Sequence, residues 1–319
     1  MTLYLTSTLV LVALAAISGL ALNLQWGLGG LINFGLFGFY MLAAYVCALL
    51  ALAGVPPVLA MLAAMAVTAL VSGLVSLISI RLSEDYLAIV TLGFAECLRL
   101  LVINEEWLTR GTLGLPGIPR PSFDFAQGLS ADVSFLLFSL VCLALVFGLY
   151  QMIARAPLGR TLRGLRDDPM VAETLGKPVQ RLRWQVFALG GGMVAVAGSL
   201  HAFYYTYIDP TQFSTIITAY AFIAVLMGGR GSGPGVLLSA FSVILLLEGS
   251  RFLNGHFDVM DAGQLAAIRL ILVGAGVVLI IRFKPQGFVQ EYRLRAAARA
   301  QAPAASRDSL PFASKLSER

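Results

Sequence analysis

Apolar residues along this chain fall in long blocks separated by short polar breaks, the pattern that solvation by lipid requires. A helix needs about 20 mostly apolar residues to cross the hydrocarbon. Blocks that meet this are Leu5–Leu22, Leu31–Leu52, Val58–Ile80, Leu87–Ile103, Phe135–Ile153, Val186–Tyr204, Leu237–Leu247 with its extensions, and Leu265–Ile281. A shorter piece, Ile216–Met227, runs straight into Gly228-Gly229-Arg230-Gly231-Ser232-Gly233-Pro234-Gly235. Counted separately it makes nine crossings; fused with its successor, eight. The pattern predicts an all-α polytopic transmembrane helix bundle over residues 1–290, with discontinuous helices. Residues 291–319, rich in Ala, Ser and Arg, are expected to form a disordered cytoplasmic tail. The start, Met1-Thr2-Leu3-Tyr4, lacks a positive region and reads as the beginning of a retained helix.

Composition narrows the class. Hydrophobic residues make up 58% of the 319 positions and charged residues 12%, too little charge to cover a soluble surface of this size. The net charge of +5 is not a nucleic-acid signal. Of 22 Lys and Arg, seven lie between Arg155 and Arg183 and eight between Arg282 and Arg319, beside apolar blocks, as cytoplasmic membrane flanks do. No basic face with interleaved aromatics and no nucleic-acid module accompanies them. Placing both basic clusters in the cytoplasm requires an even number of crossings between them, which the nine-crossing count supplies. The N-terminus and residues 104–134 are then periplasmic and the C-terminus cytoplasmic. Loop 104–134 agrees, with Glu105, Glu106, Asp124 and Asp132 against Arg110 and Arg120. Cys47, Cys97 and Cys142 sit in separate apolar blocks and read as packing residues. No metal or catalytic constellation appears.

Two glycine clusters interrupt the helices, Gly27–Gly38 and Gly228–Gly235, about 200 residues apart, each with a polar residue before a new helix. This weak internal repeat suggests discontinuous or tightly packed helices in corresponding positions of two halves. Backbone freed at a break must face protein or a water-filled cavity. Asn33, Phe34 and Gly35 are therefore candidates for a substrate path; close helix packing through small residues is the alternative. Gly228, Gly229, Gly231 and Gly233 read as a turn or hinge. A charge inside a span costs about 2.5–3.5 kcal/mol. Glu96 and Arg99, three apart, can pair on one helical face, as a structural pair or as part of the pathway wall.

In the cytoplasmic loop, Leu158, Leu162 and Leu165 recur at helical spacing beside Arg160, Arg163 and Arg166. The pair Asp167-Asp168 can cap a second short helix that accepts Pro169 in its first turn. Two such helices need a cover for their apolar face: an ATPase groove, or lipid headgroups. No GxxxxGK[ST] motif appears, so any ATP dependence is borrowed.

At this point the chain resembles the M-type permease subunit of bacterial high-affinity branched-chain amino-acid ABC importers, and is similar to the related urea and short-chain amide permeases. The likeness covers nearly all of residues 10–290. It rests on Gly27–Gly38 followed by Ala43-Ala44-Tyr45, Asp85-Tyr86-Leu87-Ala88-Ile89-Val90-Thr91-Leu92-Gly93-Phe94-Ala95-Glu96, and Gly114–Pro121. It continues through Gly159–Gly176, Met227–Gly235 and Arg282-Phe283-Lys284-Pro285-Gln286-Gly287. The resemblance implies a bacterial inner-membrane, non-enzymatic subunit paired with a homologous H-type permease. Two cytoplasmic ATPase subunits carrying ATP and Mg2+ would drive it, and a periplasmic binding protein would deliver a small-molecule substrate. This chain itself would bind no cofactor. Arg160, Arg163, Arg166, Asp167, Asp168, Glu173, Leu175 and Gly176 would form the ATPase coupling loop. The substrate path would run near Asn33 and the Glu96–Arg99 helix. One departure bears on substrate: Thr109-Arg110-Gly111-Thr112-Leu113-Gly114 stands where leucine-carrying members often have Thr-Gly-Gly-Pro-Asn-Gly. Polar amino acids, urea and amides stay open. From another class, an ion-coupled secondary transporter would also use broken helices and a buried charge pair.

Overall fold

The computed structural model describes residues 2–78, 84–121 and 130–253, with scattered positions between 267 and 289. Helix α1, Thr2–Leu22, continues into a π-helical turn over Asn23–Leu28 and then breaks. After the break come α2 (Leu36–Leu52), α3 (Pro57–Ile78) and α4 (Glu84–Asn104). Then follow the single turn α5 (Glu106–Thr109), a 3-10 turn at Gly111–Leu113 and the short strand β1 (Leu115–Pro116). The second half holds α6 (Ala131–Arg155), α7 (Pro157–Asp167), α8 (Pro169–Thr174), α9 (Val179–Tyr205), β2 (Tyr207–Ile208), α10 (Thr215–Gly228) and α11 (Gly233–Leu253). The architecture is an all-α polytopic membrane bundle with discontinuous helices.

Among the described residues, five helices are long and apolar enough to cross a membrane: Tyr4–Leu28, Pro57–Leu77, Tyr86–Asn104, Ala131–Arg155 and Val179–Tyr205. Leu36–Leu52, Thr215–Gly228 and Gly233–Glu248 are shorter apolar helices. At about 1.5 Å per residue, α10 is only about 21 Å long, less than the hydrocarbon thickness. Helices α10 and α11 fold back on one another about Gly229–Ser232 and pack along their lengths. The short piece and its successor are thus two helices joined by a tight glycine turn. The expected span Leu265–Ile281 falls largely outside the described residues, and the tail 291–319 wholly so.

Helix α9 is the core of the bundle, packed along α1, α2 and α3. Lipid tails are as apolar as leucine, so close van der Waals approach, not hydrophobic exclusion, holds such helices together. Gly191 presses on Ser72 and the Thr68 carbonyl of α3, and Gly198 on the Tyr40 carbonyl of α2, leaving no room for a Cβ. On the opposite face of α2, Gly35 and Gly38 receive Thr91 and Ala95 of α4.

At one end of the bundle β1 pairs antiparallel with β2, Leu115 opposite Ile208 and Pro116 opposite Tyr207. Ile118 N–H donates to the Thr206 carbonyl at 3.0 Å, extending the ribbon. Arg120 donates to the Tyr204 carbonyl at 2.7 Å and pairs with Asp132 at 3.1 Å. The proline- and glycine-rich loop is therefore fastened to the end of α9. It still leaves Trp107 82% and Leu113 79% exposed.

Candidate functional site

The opposite end gathers most of the residues singled out in the sequence. Asn23 and Gln25 in the π turn are fully buried, so their amides must find partners. Asn23 Nδ2 donates to the Tyr150 hydroxyl at 2.8 Å, and Asn23 Oδ1 accepts from Gly231 N–H at 2.8 Å. Gln25 Nε2 donates to the Phe187 carbonyl at 3.3 Å, which also accepts from Ser72 Oγ at 2.7 Å. Gln25 Oε1 accepts from Asn33 Nδ2 at 2.9 Å. Asn33 is fully buried, and its Oδ1 has no hydrogen-bond partner. Beside it Phe34 is 41% exposed, its N–H donating to Thr91 Oγ1 at 3.1 Å.

The first glycine cluster thus serves two ends. Gly30, at φ +72°, turns the chain back with its Cα directly against the Arg166 side chain. Gly35 is shut against α4 instead of opening onto a cavity. Glu96 and Arg99 form the expected ion pair, 2.8 Å apart, on a half-exposed flank of α4. They pair with one another and do not converge on Asn33.

In the second cluster, Gly229 and Gly231 hold φ values of +104° and +79°, which favour glycine. Gly228 and Gly235 lie backbone to backbone across the turn, and Gly233 abuts the Tyr150 ring. Arg230 stacks 4.4 Å above Trp26, whose ring meets Phe222 at 5.1 Å; Phe222 in turn meets Phe34 at 5.0 Å. The two glycine breaks are in direct contact at one end of the bundle. Phe288 N–H donates to the Met227 carbonyl at 2.8 Å and Val289 N–H to that of Gly228 at 3.2 Å, bringing the chain after residue 281 to the same end.

The loop between α6 and α9 also stands there. Pro157 opens α7, and Asp168 caps α8, accepting from Met170 N–H at 2.9 Å and Val171 N–H at 3.1 Å, with Pro169 in the first turn. One expectation needs correction. The apolar face of α7 is not left for a partner: Leu162 is 0% and Leu165 2% exposed, covered by α6 and the π turn of the same chain. A short helix tethered directly to α6 by Ala156 can fold back onto its own bundle. Arg163 donates to the Ala154 carbonyl at 3.1 Å, at the C-terminal end of α6, and Arg166 donates to the Gly27 carbonyl at 2.5 Å. What stays open is α8 and its exit, with Met170 78%, Val171 52% and Leu175 72% exposed beside exposed Glu173 and Gly176. Arg160 and Asp167 are exposed as well, Asp167 3.2 Å from Arg166.

A cleft of about 520 Å³ opens near the ribbon end, lined by Tyr40, His201, Gln212, Tyr220 and Glu248 among apolar residues of α1, α10 and α11. His201 Nε2 lies 3.2 Å from Gln212 Oε1, and Tyr4 donates to the Glu248 carbonyl at 2.7 Å. The convergence of His201, Gln212 and Glu248 carries no local signal in the sequence. The buried amides Asn23 and Gln25 were visible as polar positions at the end of an apolar block, but their partners were not.

Residues 4–281 match the family described as branched-chain amino acid transport system, permease component. Among curated proteins, the high-affinity branched-chain amino acid transport system permease protein LivM of Escherichia coli is 30% identical over 301 residues, covering 86% of this chain and 67% of its own length. BraD of Pseudomonas aeruginosa, a permease protein of the same description, is 25% identical, covering 86% of this chain and 91% of its own. LivH of Escherichia coli, also so described, is 24% identical over 279 residues, covering 82% and 90%. No solved structure matches the chain.

Proposed function

We propose a function from one premise: the chain belongs to the permease-component family of branched-chain amino acid transport systems. It is the membrane-spanning permease subunit of an ABC importer for branched-chain amino acids. It works beside a second, homologous permease, with ATP hydrolysed on two cytoplasmic ATPase subunits and substrate handed over by a periplasmic binding protein. In this reading the α7 end faces the cytoplasm and the ribbon end, with exposed Trp107 and Leu113, receives the binding protein. That orientation follows the basic residues of 155–183. The solute passes the break beside Asn33 and Phe34, where a buried unpaired carbonyl oxygen and an exposed aromatic ring stand side by side, and continues along the α4 face that bears Glu96 and Arg99, while Gly35 closes the break against α4.

The observation that carries the proposal is the bond from Arg166 to the Gly27 carbonyl. It joins the segment bearing α8 directly to the discontinuity in α1, so a push on α8 is delivered to the break and, through Asn23 and Gly231, to the second glycine turn. The coupling surface is α8 itself: Met170, Val171 and Leu175 supply an uncovered apolar patch of the kind a groove on a soluble ATPase fits, with Glu173 at its rim. Arg163 and Arg166 act behind it as braces.

Reconstitution in liposomes tests this. The chain with an H-type permease, the ATPases and the loaded binding protein takes up leucine only with ATP inside the ATPase compartment. Arg166→Ala leaves ATP hydrolysis running while uptake falls. Uptake driven by a proton or sodium gradient with this chain alone would overturn the proposal in favour of a secondary transporter.

A further inference from the structure

Helix α4 is the least covered of the five long spans and leans chiefly on α2, through Thr91 and Ala95. Its other side is open among the described residues. Ile89, Gly93, Cys97 and Leu100 recur along that side at spacings of four, four and three, and a Cβ built on Gly93 meets no atom within 4 Å. On its flank, near the middle of the helix, stand Glu96 and Arg99, whose side chains are 40% and 33% exposed. The other open spans differ. The exposed large side chains of α3, such as Leu70 and Leu74, and of α6, such as Leu145, are apolar, as lipid-facing surfaces are.

Lipid cannot cover a half-exposed ion pair at mid-bilayer without a heavy cost, so intramembrane charges face protein or a water-filled seam. Small residues four apart, such as Gly93 and Cys97, let a second membrane helix approach closely. We propose that the open face of α4 is where the second permease chain of the importer packs, its polar groups completing the hydrogen bonding of Glu96 and Arg99 in the seam between the two subunits. This rests on the transport reading above and places the second permease across the seam along which that reading routes the solute. A helix of the second permease, not an annular lipid, is the occupant because acyl chains at that depth offer no dipoles to a half-exposed acidic and basic pair, whereas polar groups on a packed helix do.

Site-specific photocrosslinking in the assembled importer decides the matter. A photoreactive residue at Leu100 or Ile89 gives an adduct identified by mass as the H-type permease, and one at Leu70 or Leu145 gives none. In parallel, Gly93→Trp folds and reaches the membrane with wild-type yield, since the site is empty in the chain itself, but no longer co-purifies with the second permease; Leu145→Trp keeps it. Adducts from α3 or α6 instead, an adduct between two copies of this chain at α4, or normal assembly of the Gly93→Trp chain each overturn the assignment. If the importer assembles and transports while α4 yields only lipid adducts, the α4 inference falls and the transport reading stands. If this chain transports with no second permease present, both fall.

Discussion

A methyl group added at Gly35 runs into the Thr91 carbonyl, whereas one added at Gly93, on the other side of α4, meets open space. Gly35→Ala therefore lowers stability by about 1–3 kcal/mol through overpacking, and Gly93→Ala raises it by up to about 1 kcal/mol through helix propensity. Thermal unfolding in detergent reads both. Asn23→Leu keeps the volume but removes the acceptor of Gly231 N–H, which costs about 1–3 kcal/mol for a buried donor left unpaired; the same melting measurement checks it. These residues divide what a sequence can show. Glycine clusters and the Glu96–Arg99 spacing are local, and helix geometry alone anticipates the breaks and the ion pair. Asn23 meets Tyr150 and Gly231 across 127 and 208 positions of chain, a distance over which no period or propensity operates.

Among the elements, α8 was the most legible and α7 the least. An aspartate followed by proline fixes a helix start by chemistry internal to three residues, and Asp168 caps α8 as that chemistry requires. Losing the cap by Asp168→Ala costs α8 about 1 kcal/mol. Amide exchange at Met170–Thr174 speeds up and ATPase stimulation by the loaded binding protein weakens, while the melting of the bundle is unchanged. For α7 the leucine spacing announced an apolar face without saying what would cover it; burial by α6 and the π turn is a tertiary fact. Helix ends were displaced for a related reason. Hydropathy runs on through Leu31–Gly35, yet that stretch is spent on the turn at Gly30, so α2 begins at Leu36. In α11 the helix starts within the glycine cluster, at Gly233, which composition argues against and packing on Tyr150 permits.

For the molecule as a whole, the ribbon joining residues 115–116 to 207–208 closes one end and the paired glycine turns the other. Charge asymmetry assigns these ends to the two faces of the membrane. In a Cys97→Ser background, an impermeant thiol reagent applied to spheroplasts should label Leu113→Cys and spare Leu175→Cys, with inverted vesicles giving the reverse; labelling of both from one side would refute the orientation. The bundle, the basic loop and the two breaks were legible because membrane insertion is governed by averages over some twenty residues. That both breaks lie at one end was not, since the repeat suggested two corresponding positions but said nothing of their contact. Asn23, held in the π turn of α1, grips the backbone of Gly231, and Arg230 lies flat on Trp26 from the other side. Bolted in this way, the first and last thirds of the chain cannot swing apart independently. On the proposed transport reading, the bundle has one door leaf at that end rather than two, and whatever turns it carries both glycine turns together.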